Sequence, residues 1–283
     1  MRRIVVIGAR GFLGGAVVAA LRAAERPVLG VSRRAGPNVD LKIALESLAE
    51  HLRTDDVVVN AAGVAIKDAR SDVALIRDNL RIAQTVANAC TVAGAALLHV
   101  SSADIWPVRV RAGAVEDAPV VPDTAYGLSK LAAERELIAC RGLPYLVLRP
   151  TYVYGPGMQQ GRVFAGLMRQ APTGAILLRG DPESATDYLH IDDLVRAVRV
   201  LIEHDTWDGT IFHVGSGALT TLVALTRTML HAAGCHAVVR FEGVVAAPLQ
   251  SGPVSIARLR ALGFAPAITL AAGCAGYARA VAM

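Results

Sequence analysis

Residues 3–14, RIVVIGARGFLG, carry a block of branched aliphatic residues straight into three glycines spaced three apart, Gly8, Gly11 and Gly14. An unbroken Ile/Val run without polar alternation reads as a strand buried on both faces. The residues after it, 12–24, space their apolar positions as a helix does. A strand that reverses at once into a helix needs a tight turn, which glycine permits at little steric cost. The missing side chains also let an anionic group approach the backbone. There the helix start offers unpaired N–H groups and its positive dipole end. The spacing G-x-x-G-x-x-G is one residue wider than the G-x-G-x-x-G dinucleotide fingerprint. Glycines in such turns also serve purely structural ends, but a strand before and a helix after favour a pyrophosphate site.

The same alternation continues. Residues 27–32, 56–63, 96–102 and 144–150 read as further apolar strands, and 72–93 and 124–140 as long helices. Continuous aliphatic strands alternating with helices specify an α/β fold, a doubly wound parallel sheet covered on both faces. After Pro150 the rhythm loosens. TYVYGPGMQQGR (151–162) reads as a loop, AILLRG and TIFHVGS as strands, and 192–204 and 219–233 as helices. A strand near 237–241 and a short helix near 255–261 follow. The expected division is a dinucleotide-binding domain over 1–150 and, over 151–283, a mainly substrate-binding lobe that returns segments to the sheet.

Composition narrows the function classes. With 53% hydrophobic and 19% charged residues over 283 positions, the chain is globular and long enough to bury a sizeable core. It holds no run of about 18 uncharged apolar residues, so no membrane span is expected. The opening MRRIVVIG resembles a signal peptide, but its apolar run is short and ends in a glycine turn rather than a cleavage site. The net charge of +5 comes from scattered arginines without a basic block or interleaved aromatics, which argues against a nucleic-acid partner. Cys90, Cys140, Cys235 and Cys274 fit no ligand spacing. They read as buried apolar residues of a cytoplasmic protein, with no metal site.

The end of the second strand indicates which dinucleotide. An acid there would hold the ribose hydroxyls of NAD, but this chain has Ser32, Arg33 and Arg34, with Arg10 inside the glycine turn. Guanidinium groups attract a 2′-phosphate and bind it with paired hydrogen bonds. NADP(H) is therefore favoured over NAD(H); the alternative is that these arginines are solvated surface charges. Asp40, just downstream, is read as a contact to the adenine amino group.

TAYGLSKLAAE (124–134) places Tyr126 and Lys130 four residues apart, on one helical face. A free phenol titrates near pH 10 and is a poor acid at neutral pH. A neighbouring ammonium favours the phenolate and brings the tyrosine into range for proton exchange with a substrate oxygen. Lys130 also has the reach to hold a ribose. Ser101 and Ser102 end the fourth strand, where parallel sheets present ligand contacts. Taken alone, Y-x-x-x-K is common on solvated helices.

The combination is more specific. The three glycines, NAAG at 60–63, SSADIW at 101–106, YGLSK at 126–130 and LRPTYVYGPG at 148–157 come in one order. That order resembles the extended short-chain dehydrogenase/reductase superfamily, in its NAD(P)-dependent epimerase/dehydratase family. DYLHIDDLVRA at 187–197 and FHVGSG at 212–217 resemble the C-terminal half of that branch, so nearly the whole chain is covered. The resemblance implies a Rossmann-type domain with a small C-terminal substrate lobe. It implies a catalytic trio of Ser102, Tyr126 and Lys130. It implies cofactor contacts at Gly8, Arg10, Gly11, Phe12, Leu13, Gly14, Ser32, Arg33, Arg34, Asp40, Leu41, Ala61, Ala62, Gly63, Pro150 and Tyr152 as well as the Tyr/Lys pair. It places Ser102, Asp104, Trp106, Thr151 and Arg162 toward the substrate, and Asn79 near the site in a structural role.

Some positions depart from the family. Trp106 stands where a tyrosine is common, and Ala103 replaces the acid of the dehydratases, which disfavours dehydration. Asp104 is either a proton carrier or a turn cap. Thr186 replaces the arginine that precedes the D-[FY]-x-H segment in nucleotide-sugar enzymes, and AAPLQSG (246–252) lacks a second one. Arg162 or Arg179 substitutes for them, or the substrate carries no nucleotide. His190, Asp192 and Asp193 read as a helix cap and a core histidine.

The expected function is NADP(H)-dependent reduction of a keto group on a sugar, nucleotide-linked, by a homodimer. The alternatives are a nucleotide-sugar epimerase with tightly held cofactor, a ketoreductase of a non-sugar metabolite, and a non-catalytic dinucleotide sensor.

Overall fold

Val and Ile fill the first strands because helices cover both sides of them. The computed structural model describes residues 1–107, 113–158, 163–204, 206–243 and 253–282. In chain order the first half runs β1 (Ile4–Ile7), α1 (Phe12–Ala23), β2 (Val28–Ser32), β3 (Leu41–Lys42), β4 (Val57–Asn60), α2 (Asp72–Ala93), β5 (Ala96–Val100), α3 (Ala125–Ala139) and β6 (Tyr145–Pro150). Side chains of β1 alternate between two cores. Ile4 and Val6 pack with Val17, Val18 and Leu21 of α1 on one face. Val5 and Ile7 pack with Val86 and Cys90 of α2 and Leu137 of α3 on the other. Helix α2 starts at Ser71, whose Oγ accepts the Ala74 N–H, and stops at Gly94, whose φ of +72° few other residues tolerate.

The second half runs β7 (Tyr152–Tyr154), α4 (Val163–Gln170), β8 (Ala175–Arg179), β9 (Ala185–His190), α5 (Ile191–Ile202), β10 (Asp208–Val214), β11 (Leu219–Thr221), α6 (Leu222–Ala233), β12 (Val238–Glu242), α7 (Ala257–Ala261) and α8 (Leu270–Ala282). The main sheet has seven parallel strands in the order β10-β6-β5-β4-β1-β2-β3. β10 thus returns from the second half to pair with β6, Phe212 opposite Leu148. Helix α5 also returns, adding Leu194, Val198 and Leu201 to the core beside α1. The rest forms a lobe from the sheet β11-β9-β7 and the pair β12-β8 around Tyr154, Phe164, Tyr188, Leu225 and Tyr277.

Several elements differ from the sequence reading. Residues 152–154, read as loop, form β7 and pair with β9, because Tyr-Val-Tyr alternates as a strand despite the Gly-Pro-Gly that follows. Residues 219–221, read as the start of a helix, form β11, and Thr221 caps α6 by accepting the Ala224 N–H. Helices α4 and α8 were not expected. Arg162 and the 246–252 stretch lie outside the described residues. The lobe is tied together by buried carboxylates. Asp187 accepts from the Ser216 N–H and hydroxyl and the Gly217 N–H, and burial raises its pKa. Asp193 accepts from the N–H groups of Ala267 and Ile268, and His190 caps α5 through the Asp192 N–H.

Helix α8 docks through a glycine. A Cβ at Gly273 would lie 2.1 Å from the buried Tyr154 hydroxyl and 2.9 Å from the His190 ring. Gly273→Ala is expected to destabilise the protein by about 1–3 kcal/mol through overpacking. Calorimetry checks this; an unchanged Tm would contradict the close approach of α8 to β7.

Candidate active site

The glycine turn is a cradle without clearance for side chains. Gly8 has φ +86°, and a Cβ there would stand 2.9 Å from the backbone of Ala62. A Cβ at Gly14 would stand 2.4 Å from the Gly8 carbonyl oxygen. Gly11 opens α1, and no side chain caps it, so the first-turn N–H groups of Phe12 and Leu13 face the turn unused by a cap. These residues fit a dinucleotide pyrophosphate. The Phe12 ring also meets the second half, 3.9 Å from where a Gly157 Cβ would be.

Cations gather at the ligand end of β2. The Arg10 stem packs against Gly36, 3.1 Å from its would-be Cβ, which brings Arg10 to the segment that carries Arg33 and Arg34. Both are exposed, and the Arg34 N–H reaches the Ser32 hydroxyl at 3.4 Å. Lys42 pairs opposite Ser32 in β3, and Leu41 opposite Val31. Asp40 is placed differently from its sequence reading. Its carboxylate accepts the Gly30 N–H at 2.6 Å and pairs with Arg22 in the last turn of α1 at 2.5 Å. It lies beside Gly30, two residues back from the Ser32 end of β2, and is engaged by the protein itself.

The Tyr/Lys pair sits where β4, β5 and α3 meet. Thr124 caps α3 by accepting the Gly127 N–H at 3.0 Å. A Cβ at Gly127 would fall 2.1 Å from the Asp104 carbonyl oxygen, so the turn after β5 touches α3 backbone to backbone. That contact brings Ser102 to the Tyr126 turn of the helix. The Lys130 ammonium lies 5.7 Å from the Tyr126 ring centre, and its Nζ donates to the Val100 carbonyl at 3.2 Å. Lys130 is 8% exposed, and burial lowers its pKa to about 8, with Glu134 and Asp104 opposing the shift. Ser102 Oγ accepts the Asp104 N–H at 3.1 Å, leaving its own proton to donate.

Around the pair, the NAAG segment closes the site. A Cβ at Gly63 would lie 3.6 Å from Lys130 Nζ and 3.3 Å from Asn79 Oδ1. Asn79 accepts the Val64 N–H at 2.7 Å and donates to the Val64 carbonyl and Ser129 Oγ. It holds the segment against α3, the structural role implied for it. Ala61 and Ala62 sit half-buried beside the Gly8 turn. Below Lys130, His99 bonds Asn60 at 3.2 Å; burial, then Lys130, drives its pKa down to about 3, so it is neutral.

The residues expected to face substrate, together with Pro150 and Tyr152 expected at the cofactor, divide into two groups. Asp104 and Tyr152 are half-buried, and Tyr152 packs on Phe164 and Tyr188. Trp106 is only 3% exposed. Its ring lies between the Arg149 guanidinium and His213, each 4.9 Å away, and its Nε1 donates to the Pro119 carbonyl. It acts as packed floor rather than open surface. Pro150 and Thr151 are buried at the end of β6, and Thr151 Oγ1 has no hydrogen-bond partner among the described residues. Sequence reasoning missed Gly127, Glu134 and Arg149. The signal for Gly127 was its place between Tyr126 and Lys130; the ion pair had none at the level of spacing. No metal-holding cluster is present among the described residues.

Residues 4–215 match the NAD dependent epimerase/dehydratase family. The chain belongs to that family. It is 28% identical over 298 residues to the putative GDP-L-fucose synthase 2 of Oryza sativa subsp. japonica, covering 96% of this chain and 84% of the relative. It is 32% identical over 157 residues to a dTDP-4-dehydrorhamnose reductase of Streptomyces griseus, covering 55% of this chain and 51% of the relative. In fold it is similar to UDP-glucose 4-epimerase from Thermotoga maritima, solved with UDP-glucose, at TM-score 0.88 and 21% identity over 99% and 98% of the two chains. MoeE5 in complex with UDP-glucuronic acid and NAD gives TM-score 0.87 at 24% identity, over 99% of both chains. The protein is therefore an NAD(P)-dependent enzyme of the extended short-chain dehydrogenase/reductase group, whose curated relatives are sugar epimerases, dehydratases and reductases. No helix among the described residues is long and apolar enough to cross a membrane.

The buried lysine gives this family member a pH signature. Between about 8 and the ordinary 10.5, the unfolded chain keeps the Lys130 proton and the folded one does not. Stability contributed by this group therefore rises with pH across that window, by at most about 1.4 kcal/mol per unit. The Lys130→Met variant is expected to lack that rise. Denaturant titrations of both proteins at pH 7.5 to 10.5 measure the difference; parallel curves would reject a depressed lysine.

Proposed function

We propose that this enzyme reduces a ketone on a sugar, with NADPH as the hydride donor. The observation that carries the reading is the convergence of Ser102, Tyr126 and the buried Lys130 on the ligand edge of the sheet, beside the glycine cradle. The nicotinamide supplies the hydride when bound. Ser102, whose Oγ already accepts the Asp104 N–H, keeps its proton and holds the ketone oxygen by a hydrogen bond. Tyr126 gives its phenolic proton to that oxygen as the carbon is reduced. The Lys130 ammonium stabilises the phenolate left behind and binds the ribose hydroxyls.

The preference for NADPH is supported by Arg10, Arg33, Arg34 and Lys42 at the ends of β2 and β3, with Asp40 engaged by Arg22. A 2′-phosphate meets cations there. A nucleotide-linked keto-sugar is supported by the curated relatives, which include a putative GDP-L-fucose synthase and dTDP-4-dehydro-sugar reductases. A homodimer through α2 and α3 is supported by the exposed apolar residues Val73, Val92, Leu128 and Ile138 on those helices.

NADPH oxidation against nucleotide-linked and free keto-sugars tests the reaction. Net oxidation is expected, and Tyr126→Phe is expected to lower it by about 10²–10⁴-fold. Interconversion of epimers without net oxidation would instead identify an epimerase, and full turnover in Tyr126→Phe would reject the mechanism. Arg33→Ala with Arg34→Ala is expected to shift the preference toward NADH. Sedimentation should give a dimer that Val92→Glu with Ile138→Glu dissociates; an unaltered dimer would assign the interface elsewhere.

A further inference from the structure

We infer that Glu134 is a positioning residue of this site: it pins the end of β5 to α3 one turn beyond Lys130 and supplies the buried negative charge that faces the Lys130 ammonium. The inference rests on the reading of Tyr126 and Lys130 as the reacting pair, but its test needs no turnover.

The geometry is a double staple. Tyr126, Lys130 and Glu134 follow one another at intervals of four along α3, on one face. Lys130 Nζ donates to the carbonyl of Val100, and the hydroxyl of Ser101 donates to Glu134 Oε1. The last residue of β5 and the one after it are thus held by two consecutive turns of the helix, and the next residue is Ser102. Glu134 is itself fixed. Arg149 grips it with Nε at 3.0 Å and Nη2 at 2.6 Å, and both side chains are 3% exposed. The remaining Arg149 arm donates to the Glu116 carbonyl, and the guanidinium covers the Trp106 ring. One carboxylate therefore links the segment that leads from β5 to Ser102, the helix of the Tyr/Lys pair and the floor under the cleft.

The groups that face Lys130 are few. From α3 they are Tyr126 and Glu134; from the turn after β5, Asp104; from β5, His99. His99 is neutral because burial drives its pKa to about 3. Asp104 is half-buried and partly screened by solvent, whereas Glu134 is sealed, so its field acts through protein rather than water. Without that field Asp104 is the carboxylate left among the described residues to oppose the burial of Lys130, and the ammonium is lost at lower pH. The support it gives the Tyr126 oxygen goes with it.

The chain's lysines are Lys42, Lys67 and Lys130, so NMR of isotopically labelled lysine side chains resolves their titrations, with Lys130→Arg as assignment. In the intact protein the Lys130 midpoint is expected near 8. Glu134→Gln is expected to lower it by roughly one pH unit. Ser101→Ala removes a hydrogen bond but no charge and is expected to leave it in place, while Glu134→Asp restores it toward the parent value. Gln at 134 leaves Arg149 buried without its carboxylate, so Glu134→Gln/Arg149→Met is measured in parallel and is expected to show a smaller shift in the same direction. A midpoint that stays or rises in whichever of Glu134→Gln and Glu134→Gln/Arg149→Met folds would overturn the inference. A lowered midpoint in a protein that oxidises no NADPH would uphold it and reject the reductase reading.

Discussion

Backbone touches backbone at two glycines, and the site exists because of it. Gly8 lies against Ala62 and Gly14 against the Gly8 carbonyl, with no space for a Cβ at either. These contacts join β1, β4 and the start of α1, so the helix dipole and its open N–H groups are aimed at the sheet edge. Gly127 repeats the device between the Asp104 carbonyl and α3. Segments far apart in sequence are therefore set by direct backbone-to-backbone contact, with no flexible side chain between them. Ser102, Tyr126 and Lys130 inherit that precision.

The second constraint is polar. Among aliphatic strands and the helix α3 that covers them, Asn60, His99, Lys130, Glu134 and Arg149 are buried. Burying such groups costs free energy unless each finds partners. Most do: the Glu134–Arg149 fork, the Asn79 bridge to both backbone groups of Val64, and the Lys130 bond to Val100. His99 Nε2 and Thr151 Oγ1 do not among the described residues. The large aliphatic cores on both faces of the sheet offset these costs. Stability is spent where chemistry needs a dry, fixed geometry, as is general for enzyme sites.

Much of this was legible in the chain. The unbroken Ile/Val runs gave the parallel strands, and the helix read over 72–93 has those bounds in the structure, where Ser71 and Gly94 cap it. The Tyr126 and Lys130 spacing indicated a shared face, which α3 has. The lobe was less legible because its strands are short and sit beside strong turn signals, as Tyr152–Tyr154 does before Gly155 and Pro156. Helix α8 hid behind its small residues, since two glycines weaken a helical pattern whose real cause is close docking on Tyr154. Asp40 shows a different limit. Proximity in sequence to the second strand suggested a ligand contact, but register places it two residues behind the end of β2, in reach of Gly30 and Arg22. The Glu134–Arg149 pair joins positions fifteen apart with no periodic signature, and only the fold reveals it.

The return of β10 to the main sheet has a consequence for biosynthesis. As the chain leaves the ribosome, β6 emerges well before its outer neighbour and remains an open edge until residues 208–214 arrive. An unpaired, aliphatic, parallel edge is a site for wrong pairing and for association between nascent chains. The nascent first half is therefore an unfinished sheet, and β7 to α5 emerge while that edge is still exposed. Pairing of β10 with β6 completes the main sheet and ties the second half of the chain to the first.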